Sequence, residues 1–394
     1  MSQRRVVVTA AVRSPIGKFG GSLKDISTID LGAHIVRAAV ARGGIAAHEV
    51  QQVFLGNVIH SDLRDMYLSR AVAVNAGLAI DTPAMSVNRV CGSGLQAIIS
   101  AAQAILLGDV DVAIAGGVES MSRAPYWLPT MRWGQRLNDS SVLDAMVGAL
   151  TDPFDGCAMG VTAERVANRY GITRADQDDM ALASQQRAAA ATAAGYFAGQ
   201  IVPIDVPVKG GTQSFATDEG IRADTTLAGL AKLKTIFAGD GTVTAGNSST
   251  INDGAAALVL MDEATAIARG IPILATLVGY SHAGVDPALM GIGPVPAIQK
   301  LWAKTGVGRD AVGIYEVNEA FAAQAIAVTR ELGLDPARVN PDGSGISLGH
   351  PLGASGAILS VKAIHALART QQQYAVTSLC IGGGQGIAAL WQRG

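Results

Sequence analysis

Residues Val87–Ile98 read VNRVCGSGLQAI, and the chain runs on as ISAAQAILLG to Gly108. Leu95, Ile98, Ile99, Ala102, Ile105 and Leu106 recur at three- and four-residue steps, which predicts an amphipathic helix stopped by Gly108. Cys91 then stands just ahead of the first turn, among glycines, and not inside an apolar run where a cysteine acts as a small hydrophobe. Unpaired backbone N–H groups and the positive end of the helix dipole favour a thiolate at such a place. Gly92 and Gly94 let another backbone or a substrate come close. The setting suits a nucleophile, although a structural thiol at a helix start would satisfy the same spacing.

Outward from this segment the first third of the chain alternates strand and helix signals. RVVVTAAV and EVQQVFLGNVI read as strands, DLGAHIVRAAVARGG as a helix, and DVDVAIAGGVES as a buried strand ending in a glycine turn. The last third repeats the pattern with IPILATLVGYS, AVGIYEVNEAF, GHPLGASGAILSVKAIHALAR and YAVTSLCIGGGQGIAALW. Val6 aligns with Ile273, Asn57 with Asn318, Cys91 with His350 and Ile114 with Ser378, each at an offset of roughly 260 residues. So steady an offset predicts a duplicated α/β core whose halves are related by a pseudo-dyad.

The composition bounds the rest. The chain has 394 residues, enough for two or three units, and is 49% hydrophobic but only 16% charged. A formal net charge of -2 gives no electrostatic reason to expect nucleic acid. Three cysteines without a CxxC pair point to a reduced compartment, and no stretch reads as a signal peptide or a membrane span. The expectation is a cytoplasmic protein with no nucleic-acid or membrane partner.

From about Met121 to about Thr250 the texture changes. Tyr126, Trp127 and Trp133 fall in a stretch with no clear period, followed by helices in TAERVANRYG and in TRADQDDMALASQQRAAAATAAGYF, the latter capped by Thr173 with Asp176 three residues on. This reads as a large insertion over one face of the core. The expected division is an N-terminal core half over 1–120, a loop domain covering the active site over 121–250, a return to the first half over 251–270 and a C-terminal core half over 271–394.

Four turns carry reactive residue types: CGSG with Cys91, NEAFA with Asn318, SLGHPLGASG with His350 and LCIGGGQG with Cys380. If the halves meet at a pseudo-dyad, Cys91 and His350 meet there, and an imidazole that takes a thiol proton makes an activated nucleophile. Cys380 is a candidate second acid or base, and the glycine runs supply backbone donors for an oxyanion. His34, His48, His60, His282 and His365 read as structural, Cys157 as a passive thiol, and Asn318 alone could be a turn former. Nothing has metal-ligand spacing. GSGLQA and GQGIAA match a Rossmann-like pattern only weakly, which argues against a dinucleotide dehydrogenase.

NRVCGSGLQAI, AGGVESMSRAPY, TAGNSSTINDGAAA, NEAFAAQA, NPDGSGISLGHPLGASGA and CIGGGQGIAA, in that order over essentially the whole chain, resemble thiolases, most closely bacterial acetyl-CoA acetyltransferases and β-ketothiolases. The resemblance implies a five-layered αβαβα core, a loop domain that holds coenzyme A, no permanently bound cofactor, acyl-CoA substrates and a homotetramer built as a dimer of dimers. It implies that Cys91 is the acylated nucleophile, His350 the base that activates it and Cys380 the second acid/base. Asn318, through a water, and His350 would stabilise the enolate oxygen, and the N–H groups of Cys91 and Gly382 would form the oxyanion hole. Ser249 and Met159 are implied near the pantetheine and the acyl group, and Arg222 near the adenine end. Many relatives read His-Met-Gly where this chain has Ala158, Met159 and Gly160, which bears on binding and acyl preference.

The implied activity is reversible, ping-pong Claisen condensation of acetyl-CoA with itself or a short acyl-CoA through acyl-Cys91. The alternatives are a degradative 3-ketoacyl-CoA thiolase of medium or long chain length, a decarboxylating ketoacyl synthase and a non-catalytic lipid- or CoA-binding relative. Cys380 argues against the synthase, which makes its enolate by losing carbon dioxide. The complete set of reactive residues argues against the binding protein.

Overall fold

The strand expected near the N-terminus forms over Val6–Arg13 (β1) in the computed structural model, which describes residues 4–394. The first three residues of the expected N-terminal core half lie outside the described residues. Strands β2 (Gln52–Gly56), β3 (Ala84–Val87), β4 (Val112–Ser120), β5 (Asn252–Asp262), β6 (Ala275–Gly284), β7 (Ile314–Val317), β8 (Tyr374–Ile381) and β9 (Gln385–Arg393) follow. They form a ten-stranded sheet in the order β7-β8-β9-β6-β1-β5-β4-β2-β3, the tenth strand being Gly17–Lys18 on β5.

The duplication is visible in strand direction. Along β1-β5-β4-β2 the pairings are antiparallel, antiparallel and parallel, and along β6-β9-β8-β7 they repeat. A register shift falls between Val8 and Ala10 in one half and between Leu277 and Gly279 in the other. β3 has only a remnant counterpart, the parallel bridge of Tyr315 with Val339. The halves join where β1 pairs antiparallel with β6 through Val7 and Thr276.

The longer helices are α1 (Thr28–Arg42), α2 (Leu68–Asn75), α3 (Ser93–Leu107), α4 (Met159–Tyr170), α5 (Arg174–Ala193), α6 (Pro294–Thr305), α7 (Ala322–Glu331) and α8 (Leu352–Thr370). Strand periodicity sorts them into layers, because successive side chains face opposite sides of a sheet. Leu258 and Leu260 of β5 and Ile387, Ala389 and Trp391 of β9 share one core with Leu95, Ile98 and Ile105 of α3 and Leu359 and Ile364 of α8. The alternate residues Ala257, Val259 and Met261 pack outward with Ile35 and Val36 of α1. Ala388 and Leu390 likewise pack with Ile298 and Leu301 of α6. Helix, sheet, paired central helices, sheet and helix give the five expected layers.

The central helices reach the seam because small residues let their starts touch. A Cβ on Gly94 would stand 2.8 Å from Ala357 N, and one on Gly356 2.5 Å from Leu95 N. On Gly117 of β4 it would stand 2.1 Å from Gly353 O. The glycines of CGSG and GHPLGASG are therefore required by backbone packing, where a methyl group has no room. One expectation is corrected: residues 90–107 do have the length and apolarity of a membrane span, with mean hydropathy 1.6, yet this stretch is the central helix α3 and most of it is buried.

Between β4 and β5 lie the hairpin Tyr126–Trp127 with Leu143–Asp144, helices α4 and α5, and the hairpin Ile204–Val208 with Gly211–Phe215. Thr173 and Asp176 form the expected capping box of α5. GQGIAA runs into β9 and not into a helix, so it lacks the helix start that a dinucleotide turn requires.

Candidate active site

Cys91 sits in a tight turn between β3 and α3. Val90, just before it, has φ +47°, a left-handed conformation that costs a β-branched residue about 1–3 kcal/mol. Local bonds hold it there: Asn88 Oδ1 accepts from Val90 N (3.0 Å), and Ser93 Oγ accepts from Arg89 N (2.8 Å) and donates to Val90 O (2.6 Å). The other half repeats the device. Gly349 has φ +111° just before His350, a Cβ on it would lie 2.4 Å from Asn252 Cγ, and His350 N donates to Asn252 Oδ1 (3.0 Å). Both reactive residues thus follow a left-handed residue and precede a central helix.

The imidazole of His350 is buried, and its two nitrogens have distinct partners. Ser355 Oγ donates to Pro351 O (2.8 Å), so toward His350 Nδ1, 2.6 Å away, it acts as acceptor. Nδ1 therefore carries the proton, and Nε2 keeps a lone pair, which accepts from Asn318 Nδ2 at 3.3 Å. Burial pushes the pKa of His350 down to about 4, so the ring is neutral at physiological pH.

The dipole argument for a Cys91 thiolate is overturned. Although part of Cys91 is accessible, the protein packed around it pushes the thiol up to about 11. The backbone N–H groups of Gly382 and of Cys91 itself pull the other way, while Glu119 adds negative charge that raises it further. Desolvation wins over the helix start. Cys380, on β8 and buried, is raised too, first by burial and then by the charge of Cys91, which places the two thiols in one electrostatic unit.

Three residues of this site carried no sequence-based assignment. Ser355 and Asn252 orient His350, and Glu119 braces the turns behind the thiol. Its Oε1 accepts from Asn57 Nδ2 (2.9 Å) and Ile59 N (3.1 Å), and its Oε2 from Val58 N (3.1 Å) and Gly353 N (2.7 Å). Burial raises its pKa to about 8 against the pull of these donors. An acid closing the apolar strand VAIAGGVES and a hydroxyl beside the one turn-bound histidine were the available signals.

A cavity of about 770 Å³ opens at His350. Met159, Ser249 and Arg222 all line it, with Met146, Leu150, Phe237 and Phe321 supplying apolar wall. Such a cleft, apolar with few polar groups, suits a long flexible ligand. Met159 Sδ lies 3.3 Å from where a Cβ on Gly382 would stand, which ties the cavity to the Cys91 turn. Ala158 is on the same wall and leaves the start of α4 without a side-chain cap. Cys157 is partly exposed and donates its backbone N–H to Asp155 Oδ1. Among the described residues no group of His, Cys, Asp and Glu is arranged to hold a metal.

Known proteins share this frame. The family model described as the thiolase N-terminal domain matches residues 6–264, and that of the thiolase C-terminal domain residues 271–393. The chain is 57% identical over 391 residues to the β-ketothiolase BktB of Cupriavidus necator, covering 99% of each. It is 48% identical over 385 residues to an acetyl-CoA acetyltransferase of Pseudomonas aeruginosa, covering 97% of this chain and 98% of that one. The crystal structure of a Bacillus anthracis acetyl-CoA acetyltransferase superposes with TM-score 0.98 at 46% identity over 99% of both chains. Human mitochondrial 3-ketoacyl-CoA thiolase in complex with CoA gives TM-score 0.96 at 43% identity, over 100% of this chain and 98% of that one. With the duplicated sheet, the paired turns and both halves matched, the chain belongs to the thiolase family.

Proposed function

We propose that this protein is an acetyl-CoA C-acyltransferase that condenses two acetyl-CoA, or acetyl-CoA and a short acyl-CoA, reversibly to a 3-ketoacyl-CoA. The observation that carries the reading is a neutral His350 whose Nε2 is kept unprotonated by the Ser355 contact at Nδ1 and is met only by Asn318 Nδ2 at 3.3 Å, at the pseudo-dyad position equivalent to that of a protonated Cys91.

In the first half-reaction Cys91 gives its proton to His350 Nε2 as its sulfur attacks the thioester carbonyl. The N–H groups of Cys91 and Gly382, which already face the thiol, hold the oxyanion. The tetrahedral intermediate expels coenzyme A as a thiolate, which takes the proton of Cys380 as it leaves, so that Cys380 becomes a thiolate and His350 keeps the proton on Nε2. In the second, the Cys380 thiolate removes an α-proton from a second acetyl-CoA, and Asn318 Nδ2, through a water, and the Nε2–H of the protonated His350 stabilise the enolate oxygen. The enolate carbon attacks acetyl-Cys91, the C–S bond breaks, and His350 Nε2 returns its proton to the departing Cys91 sulfur while Cys380 keeps the α-proton, which restores the resting state. Because an α-proton is far less acidic than a thiol, the enolate site must be dry and preorganised, and the burial of Asn318, His350 and Cys380 supports that. Side chains perform every step, so coenzyme A and its thioesters are substrates and no resident cofactor is required.

In this reading Ser249 and Arg222 bind the coenzyme A chain and Met159 meets the acyl group, and residues 121–250 form the domain that covers the site between core segments 1–120, 251–270 and 271–394. A homotetramer is supported by large exposed side chains on that domain, Tyr126 at 62%, Trp127 at 56% and Trp133 at 89%. The reading places the protein in the cytoplasm. Thiolysis of acetoacetyl-CoA and 3-ketohexanoyl-CoA side by side, with the mass of the trapped acyl-enzyme, tests it. Cleavage of acetoacetyl-CoA through acylated Cys91 is expected, turnover of both ketones would widen the acyl range, and turnover of neither refutes the activity.

A further inference from the structure

Behind the Asn318–His350 pair lies a buried ion pair that the reaction does not use. Lys362 Nζ donates to Glu316 Oε2 (2.8 Å) and to Gly343 O, and the two side chains are 1% and 0% exposed. Three chain segments meet at this ammonium. On β7, Ile314 and Glu316 face the central helices while Tyr315 and Val317 face outward, so Asn318 follows on the inward side of the same strand. The loop that starts at Gly343 ends at His350. α8 carries Lys362 and, two turns earlier on the same face, the Ser355 that orients His350.

The junction reaches the side chains as well as the backbone. Lys362, Ser355, Ser344 and Asn318 line a small cavity of about 10 Å³, the size that admits one water. An ammonium has three N–H groups, and Glu316 and Gly343 take two, which leaves one for that cavity. Gly345, on its wall, is pressed against the enolate-site amide: a Cβ there would stand 2.9 Å from Asn318 Oδ1. A buried ion pair adds little net stability, because desolvation of both charges offsets their attraction. What this one adds is a fixed geometry between the strand that delivers Asn318, the loop that delivers His350 and the helix that orients it.

We propose that Lys362, held by Glu316, is a positioning residue for the condensation and thiolysis steps, setting the spacing of Asn318 against His350. The role rests on the thiolase reading given above. Lys362 does not line the large cavity, so it acts on turnover and not on coenzyme A binding. The test is the apolar double variant Glu316→Leu/Lys362→Met, which removes both charges without orphaning either, beside the single Lys362→Met. For the double variant the expected result is a folded protein with KM for acetoacetyl-CoA and coenzyme A within about twofold of wild type and kcat for thiolysis lower by about tenfold or more, the scale of a small misplacement of a catalytic pair. Its crystal structure is expected to show the 3.3 Å contact of Asn318 with His350 lengthened or broken. Wild-type kcat, a raised KM with unchanged kcat, an unchanged Asn318–His350 distance, or a double variant that does not fold each overturns the proposal, the last by making the pair a stability element. Wild-type turnover measured alongside tests the thiolase reading separately, and the crystallographic distance tests the positioning role even if that reading fails.

Discussion

Replacing Ser355 by alanine tests the base assignment without touching a reacting atom. The hydroxyl proton is committed to Pro351 O, so Ser355 Oγ holds His350 in the Nδ1–H form and leaves Nε2 able to take the Cys91 proton. Without that oxygen the base-competent ring carries a buried N–H with no acceptor, which costs about 1–3 kcal/mol. The ring can escape the cost by moving its proton to Nε2, but there it faces the Asn318 Nδ2 donor and cannot act as a base. By either route the competent form is disfavoured by that amount, and acylation should slow by about five- to 150-fold. The assay is single-turnover release of coenzyme A from acetyl-CoA near neutral pH, read with the mass of acetyl-Cys91. Ser355→Thr keeps the oxygen and should recover most of the rate. A Ser355→Ala enzyme that acylates at the wild-type rate would refute the tautomer argument.

Other expectations follow from the same geometry. Cys380→Ser should still form acetyl-Cys91 yet lose condensation, and equal loss of both half-reactions would remove the second-base role. Because Cys91 is raised to about 11, wild type and Cys91→Ala should show no difference in thiolate absorbance near neutral pH, whereas a clear difference would mean a resting ion pair. His350, with a folded pKa of about 4 against about 6.5 unfolded, contributes fully above the unfolded value and loses that contribution as pH falls through the folded one. Between neutrality and about pH 5 wild type should therefore lose about 2 kcal/mol relative to His350→Gln in urea unfolding, and parallel pH curves would contradict the buried neutral ring. Above about pH 8, where the folded carboxyl is ionised, Glu119→Gln turns an NH₂ toward two of four donors, so its denaturation midpoint there should drop by the equivalent of about 3 kcal/mol, and an unchanged midpoint would show that the bracing is dispensable.

The duplication was legible because it is written in residue types that cannot be exchanged: glycines where backbones touch, apolar residues at steps of two in strands and three or four in helices. Gly94 and Gly356 have to be small, and the small-residue turns that hold Cys91 and His350, at an offset of roughly 260 residues, mark the two helix starts in the sequence. Ser355 and Asn252 were not legible in the same way, since a hydroxyl in a small-residue run fits packing as well as orientation, and only the fold brings Asn252 to the backbone of His350. The thiolate expectation failed for a related reason. A sequence displays a helix start but not how much protein closes over it, and the second quantity decided the pKa of Cys91.

The same burial sets the chemistry of the two halves apart at the seam. A left-handed residue before a central helix turns the next side chain toward the seam, and the duplicated backbone offers that position twice, at Val90 and at Gly349. Two like groups there would repel or stay inert, whereas a thiol in one half and an imidazole at the equivalent place in the other supply a donor and an acceptor. Burial raises one and lowers the other, so the pair rests uncharged and incurs no desolvation cost while the site is empty. In the proposed mechanism charge appears only as the thioester carbonyl reaches the N–H groups of Cys91 and Gly382, so that the nucleophile forms against its own substrate. A thiolate set permanently at the seam would react with whatever entered the cleft. The neutral pair couples proton transfer to the arrival of an acyl group, and the glycine crossing of α3 and α8 makes that coupling possible by bringing the two turns together.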